Sequence, residues 1–231
     1  MTILLLLALV LAVVYTAYKT QKINVTTVAL KMVCSTAFLL IPIWGGALSG
    51  DWGYPHYVFV GLALAFWGDL FLELKLLWAK TDAAYSYLGF SAFILTHLCY
   101  LMALTVAFKP EGAQWGWALL IALAIVAFVK VTERPMGLDY GRFRPITFIY
   151  TGVLGTGFAL SLLLLWQSPG LAAGQSLFFV GIVLFLVSDL ALSQLYFGRQ
   201  RWVKSHIAVN CLTYYVGQFA IAYSTVQWVS A

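Results

Sequence analysis

The sequence predicts an all-α fold, a polytopic membrane bundle of eight transmembrane helices, and three observations carry that reading. Of 231 residues, 63% are hydrophobic and 9% charged, whereas a soluble chain is roughly half apolar and about a quarter charged. Too few polar side chains remain to face water on all sides, which excludes soluble, disordered, collagen-like and coiled-coil classes. The apolar runs are unbroken and about twenty residues long, enough for a helix to cross a hydrocarbon core of ~30 Å. A β-barrel would instead show alternating segments of about ten residues. Finally, the basic residues concentrate in alternate loops, as membrane topology requires.

Taken in order, the spans run approximately 2–18, 24–44, 57–78, 85–108, 115–131, 145–166, 173–196 and 206–228. The first lacks a basic leader region and continues straight into further spans, so it reads as helix one and not as a cleavable signal. Breaks fall where Pro, Gly and charge cluster: residues 49–55, Lys109-Pro110-Glu111-Gly112 and Gln167-Ser168-Pro169-Gly170. The three cysteines, Cys34, Cys99 and Cys211, all lie within apolar runs and read as small core residues. Gly152, Gly155 and Gly157 in span six read as sites of close helix packing.

Loops after spans one, three, five and seven hold Lys19, Lys22, Lys80, Lys130, Arg134, Arg142, Arg144, Arg199, Arg201 and Lys204. The opposite loops hold only Lys109, and Lys31 and Lys75 fall within spans. The odd loops are therefore expected in the cytoplasm and both termini outside, as in a bacterial inner membrane. The net charge of +5 is explained by these loops, and no nucleic-acid partner is called for. Asn24-Val25-Thr26 matches a glycosylation sequon but falls on the cytoplasmic side.

An internal repeat divides the single membrane domain into halves of about 1–112 and 113–231. Residues 59–72, FVGLALAFWGDLFL, align without gaps on 179–192, FVGIVLFLVSDLAL, with seven of fourteen positions identical, Gly61 and Asp69 among them. The same offset of 120 places Val33, Thr36, Phe38 and Leu40 on identical residues. Four spans per half is an even number, so the halves are expected to run parallel about a pseudo-twofold along the membrane normal. Chance similarity of two apolar helices is the alternative.

Ionisable groups in a bilayer core cost roughly 2.5–3.5 kcal/mol each on insertion scales, so each calls for a reason. Asp69 and Asp189, paired by the repeat, lie about nine and seven residues from the cytoplasmic ends of their spans. At ~1.5 Å per residue both sit some 10–14 Å inside that face. If their helices meet near the pseudo-axis, both carboxylates face one cavity; the plainer reading is two aspartates gluing helices together. Lys31 shares their depth and either neutralises one of them or snorkels to the interface. Glu73, one turn from Asp69, reads as a solvated rim residue paired with Lys75 or water. Gly68 leaves room for a substrate beside Asp69. His97 sits near mid-membrane with Tyr100 a turn further on, and Asn210, Tyr214 and Gln218 form one stripe of span eight beside Tyr215.

Metal and serine chemistry are disfavoured. His56 and His206 belong to opposite edges, ~30 Å apart, too far to share a zinc with bonds of about 2 Å, and no Gly-x-Ser-x-Gly elbow occurs. No cofactor is called for.

Several of these strings resemble the YhhN-like lysoplasmalogenase family: Gly68-Asp69-Leu70, then Gly89-Phe90-Ser91-Ala92-Phe93 leading to His97 and Tyr100. So do Gly181 through Phe185, Val187-Ser188-Asp189, and Tyr214-Tyr215-Val216-Gly217-Gln218. Lys31 resembles the family's lysine in span two, with Met32 where a proline usually follows. The resemblance covers nearly the whole chain. It implies an eight-span membrane enzyme that cleaves the vinyl ether of a lysophospholipid substrate, giving a fatty aldehyde and glycerophosphoethanolamine or glycerophosphocholine. Some bacterial relatives carry Asn at the second Asp, so whether Asp189 must ionise stays open.

Two carboxyl groups without a metal suit that chemistry, one delivering a proton to carbon and one stabilising the cation and activating water. Which aspartate is the donor stays open, as do headgroup preference and oligomeric state. Arg142, Arg144, Arg199, Arg201 and Lys204 are the candidates for the headgroup phosphate; enforcing orientation is their alternative. A proton-coupled transporter also uses buried carboxylates. An intramembrane aspartyl protease resembles the pair more weakly, since Phe66 and Val187-Ser188 depart from its Gly-x-Gly-Asp and no Pro-Ala-Leu occurs.

Overall fold

The computed structural model describes residues 2–167, 173–199 and 202–228. Its eight α-helices are α1 (Thr2–Lys19), α2 (Val25–Ser49), α3 (Gly53–Leu77), α4 (Asp82–Phe108), α5 (Gly112–Thr132), α6 (Arg144–Gln167), α7 (Ala173–Phe197) and α8 (Lys204–Ser224). The chain is all-helical and polytopic, as its hydropathy predicts. Six helices, α2 to α7, are long and apolar enough to cross a membrane, and α1 is a shorter apolar helix. α8 falls short in apolarity because it carries Asn210, Thr213, Tyr214, Tyr215 and Gln218. Its position explains this composition: α8 packs against α1, α2, α3 and α7, so protein, not lipid, meets its polar groups.

Boundaries differ from the hydropathy reading where prolines stand. α2 runs on through Pro42 and stops at Gly50, whose φ of 67° ends the helix in the left-handed region. α3 begins at Gly53, so Pro55 lies in its first turn, where a missing N–H breaks no helical bond. The start of α2 is fixed by a capping box in which Asn24 accepts from the Thr27 backbone and Thr27 accepts from that of Asn24.

The most extensive pairings are α3 with α4 and α7 with α8. Glycine permits both. A Cβ at Gly61 would stand 2.6 Å from the Tyr100 ring, and one at Gly181 would stand 2.7 Å from the Gly217 carbonyl oxygen. Gly155 faces Ala122 of α5 at 3.4 Å and Gly152 faces Val126 at 3.8 Å, whereas Gly157 meets nothing. α5 packs chiefly on α6 and turns Leu119, Leu120, Leu123, Phe128 and Val131 outward. Such a face suits the lipid of a membrane.

At the end of the bundle that carries most of the basic loops, the α5–α6 connection is tied to the end of α7. Leu138 bridges Gly198 in antiparallel fashion, and Asp139 donates its backbone N–H to the Phe197 carbonyl at 3.0 Å. Across the same connection, Tyr87 of α4 donates to the Arg142 carbonyl at 3.0 Å.

Candidate active site

Asp69 is 1% exposed, and three helices supply its partners. Ser35 of α2 donates to Oδ2 at 2.6 Å, Tyr214 of α8 donates to the same oxygen at 2.7 Å, and Lys31 Nζ of α2 stands 3.2 Å from Oδ1. Lys31 and Ser35 are four residues apart, so one face of α2 presents both. Asp69 and Glu73 are related in the same way on α3, and Lys31 spans them, 3.4 Å from Glu73 Oε2. Glu73 also receives Lys19 Nζ at 2.7 Å and the Tyr15 hydroxyl at 3.2 Å. Two cations thus face two anions inside the bundle, a geometry in which each charge justifies the burial of the others.

Behind this cluster runs a hydrogen-bonded chain. Tyr100 donates to Gln218 Oε1 at 2.8 Å, Gln218 Nε2 donates to the Tyr214 hydroxyl at 3.3 Å, and Tyr214 completes the route to Asp69. Tyr215 lies 3.3 Å from Ser35 and donates to the Lys31 carbonyl at 3.3 Å.

Asp189 on α7 is partnered differently. The Tyr150 hydroxyl of α6 donates to its Oδ2, and among the described residues no cation forms an ion pair with it. Next to it in sequence, Ser188 is clamped by Asn210, whose Nδ2 donates to Ser188 Oγ at 2.9 Å and to its carbonyl at 3.1 Å.

Both carboxylates line one cavity of about 320 Å³, within the usual ligand-pocket range of ~300–1,000 Å³. Its remaining wall is mostly hydrocarbon and aromatic, with Phe93, Phe185 and Leu154 deep inside. Phe93, Phe185 and Tyr214 meet edge to face. The wall reaches the outer surface of the bundle at Phe128 of α5, 64% exposed, and Leu190 of α7, 56% exposed. The cavity wall thus includes side chains of α5 and α7 that also face outward. Toward the loops its lining ends at Met136, Leu138 and Tyr140; burial raises the Tyr140 hydroxyl above its ordinary value, so it remains a neutral donor there.

The residues singled out from sequence divide into four groups. Asp69, Asp189, Lys31, Asn210, Tyr214 and Tyr215 line the cavity. Tyr100 and Gln218 stand behind it in the hydrogen-bonded chain. His97 is buried outside the lining, its ring against Phe185, Tyr100 and Tyr150, and its Nε2 has no hydrogen-bond partner among the described residues. Of the basic candidates, Arg142 pairs with Asp82 at 3.4 Å and Arg144 with Glu133 at 2.8 Å. Arg199 lies over Gly137, Lys204 opens α8, and Arg201 falls outside the described residues. None of the four described lines the cavity.

Two expectations, for Glu73 and Gly68, are corrected, and the choice left open for Lys31 is decided. Glu73 is no solvated rim group: it is 1% exposed and paired with Lys19 and Lys31, because α1 covers that face of α3 through Tyr15 and Lys19. Lys75 instead stands over the Tyr196 ring, 3.6 Å from its centroid. Lys31 does not snorkel outward, since two carboxylates hold it inside. The room left by Gly68 is taken by Phe93, whose ring would come within 2.8 Å of an added Cβ.

The sequence reading missed Tyr150, Ser35, Tyr15 and Lys19. Tyr15 and Lys19, spaced i, i+4 on an otherwise apolar helix, carried a usable signal, masked because Lys19 was counted as a loop cation. Tyr150 carried none, being one of 13 tyrosines. Among the described residues no group of three His, Cys, Asp or Glu is placed to hold a metal ion.

An all-helical polytopic membrane protein with two carboxylates lining one mostly apolar cavity is the class this arrangement defines. Residues 26–225 match the YhhN family, and the chain belongs to that family. Comparison with curated proteins and with solved structures finds no significant match.

Proposed function

We propose that the protein hydrolyses the vinyl ether bond of lysoplasmalogens, releasing a fatty aldehyde and a glycerophospho-base. The observation that carries this reading is the unequal pair of carboxylates on one cavity whose wall includes outward-facing side chains of α5 and α7. Asp69, with Lys31 and two hydroxyl donors, is equipped to remain an anion. Asp189 faces a tyrosine and a mostly apolar wall, with no ion-pair partner among the described residues, and takes the role of proton donor.

Asp189 then delivers its proton to the β-carbon of the vinyl ether, and the π electrons form the new C–H bond. The resulting oxocarbenium ion is stabilised by the fixed anion of Asp69. Water adds to the cationic carbon and returns its proton to the Asp189 carboxylate. The hemiacetal collapses, its C–O bond to glycerol breaking as the alcohol takes up a proton, and the aldehyde leaves. Atoms balance with one water consumed. The acyl-like chain fits the apolar wall, and the basic loop end, which we place in the cytoplasm with both termini outside, suits the phosphate.

The test is aldehyde release by purified protein from a vinyl-ether lysolipid, with the saturated ether as control. Because protonation of carbon is slow, turnover should fall in D₂O. Equal inertness toward both lipids would overturn the proposal.

A further inference from the structure

Beside the catalytic cavity lies a second, polar hollow that the mechanism does not use. It has a volume of about 490 Å³ and is lined by Arg134, Gly137, Leu138, Asp139, Phe197 and Arg199 among others. Leu138 and Phe197 line both spaces, so the two adjoin across these side chains. Its floor is a built feature, fixed by the Leu138–Gly198 bridge and the Asp139 to Phe197 backbone bond. Gly137, at φ 70°, turns the chain so that the Arg199 stem lies across it, with Cδ 3.5 Å from where a Cβ would stand. Arg142 and Arg144 are already engaged by Asp82 and Glu133. Arg134 and Arg199 have no carboxylate within ion-pair distance among the described residues. Asp139 spends Oδ1 on the Gly141 backbone N–H at 3.0 Å and keeps Oδ2.

We infer that this hollow is a subsite for a zwitterionic phosphodiester headgroup, with Arg134 and Arg199 on the phosphate and Asp139 toward the ammonium. Two guanidinium groups offer paired N–H donors suited to phosphate oxygens, and a single nearby carboxylate complements a cation one short linker away. The charge pattern matches phosphoethanolamine or phosphocholine better than a phosphoglycerol headgroup, whose neutral glycerol end offers Asp139 no cation. The inference rests on the proposed reaction only in identifying the lipid whose chain occupies the adjoining cavity.

Binding can be read without turnover, using saturated 1-alkyl lysolipids bearing phosphoethanolamine, phosphocholine or phosphoglycerol, and alkylglycerol without phosphate. Titrated in detergent against the full-length protein, the zwitterionic lipids should bind roughly tenfold or more tighter than alkylglycerol. The double variant Arg134→Gln with Arg199→Gln should lose that advantage, and Asp139→Asn should narrow the preference over phosphoglycerol while keeping the bond to Gly141. A double variant with unchanged thermal unfolding and unchanged affinity for the phosphoethanolamine lipid would overturn the inference. A resident bilayer lipid is the other source of such a headgroup. If, in phosphatidylcholine nanodiscs, lysolipid affinity no longer depends on Arg134 and Arg199, the hollow belongs to that lipid and the assignment to substrate is wrong. Should vinyl-ether lipid yield no aldehyde while the binding pattern holds, the reaction fails and the subsite stands.

Discussion

Asp69 and Asp189 occupy positions that the sequence repeat superposes, yet their surroundings share little. Around Asp69 stand Lys31, Ser35 and Tyr214, with Glu73 and Lys19 a turn away. At the same offset the second half places Thr151 opposite Lys31, Gly155 opposite Ser35 and Ser193 opposite Glu73. Among the described residues Asp189 has no cation at ion-pair distance, and its hydrogen-bond donor is a tyrosine from α6. Two carboxylates at matching positions of similar segments thus line one cavity with different neighbours. The environment, not the residue type, decides which is acid and which is anion.

The largest expected effect breaks both members of the comparison. Asp69→Asn and Asp189→Asn should each lower turnover by ~10²–10⁴, the usual worth of a positioned acid or charge, with lysolipid binding retained. If Asp189→Asn keeps wild-type aldehyde release while Asp69→Asn is dead, Asp189 is not the proton donor and the two-carboxylate mechanism fails. Next in size is the countercharge. Lys31→Met leaves Asp69 without its cation and Glu73 with one fewer, and should cost about 3–5 kcal/mol, read as a lower thermal midpoint in detergent. The equivalent Thr151→Met should be close to neutral by the same measurement. Tyr150→Phe removes the hydroxyl on Asp189 and should slow turnover about tenfold, the worth of one good hydrogen bond, without matching the Lys31 loss of stability. The smallest effect belongs to the chain behind Asp69. Tyr100→Phe should cost roughly 0.5–1.5 kcal/mol and leave the solvent isotope effect unchanged.

Hydropathy was enough to find all eight helices because lipid imposes the same requirement on each exposed face. It was weakest on α8, the inner helix, where polar groups meet protein, and at Pro42 and Pro55, where a helix continues past a residue that usually punctuates. The carboxylates, Lys31 and the Asn210, Tyr214 and Gln218 stripe were legible because a polar group in an apolar run needs a partner. Which partner it finds was not legible. Tyr150 reaches Asp189 from another helix, 39 positions away, and Glu73 looked peripheral until α1 was placed over it. Periodicity reports which face of a helix is polar, whereas the identity of the opposing helix follows from packing.

Under the proposed hydrolysis, the outward-facing cavity wall at Phe128 and Leu190 has a kinetic consequence. A lipid that enters past these side chains never passes through water, so turnover would follow the mole fraction of substrate in that leaflet. Diluting the membrane with inert lipid should slow the reaction even when total substrate in the tube is unchanged. The two products of the proposed reaction would also part by different routes. The aldehyde would slip back into the hydrocarbon past the same side chains, while the glycerophospho fragment, having lost its chain, would leave from the loop end into water. Cleavage and sorting then become one event, and neither product obstructs the exit of the other.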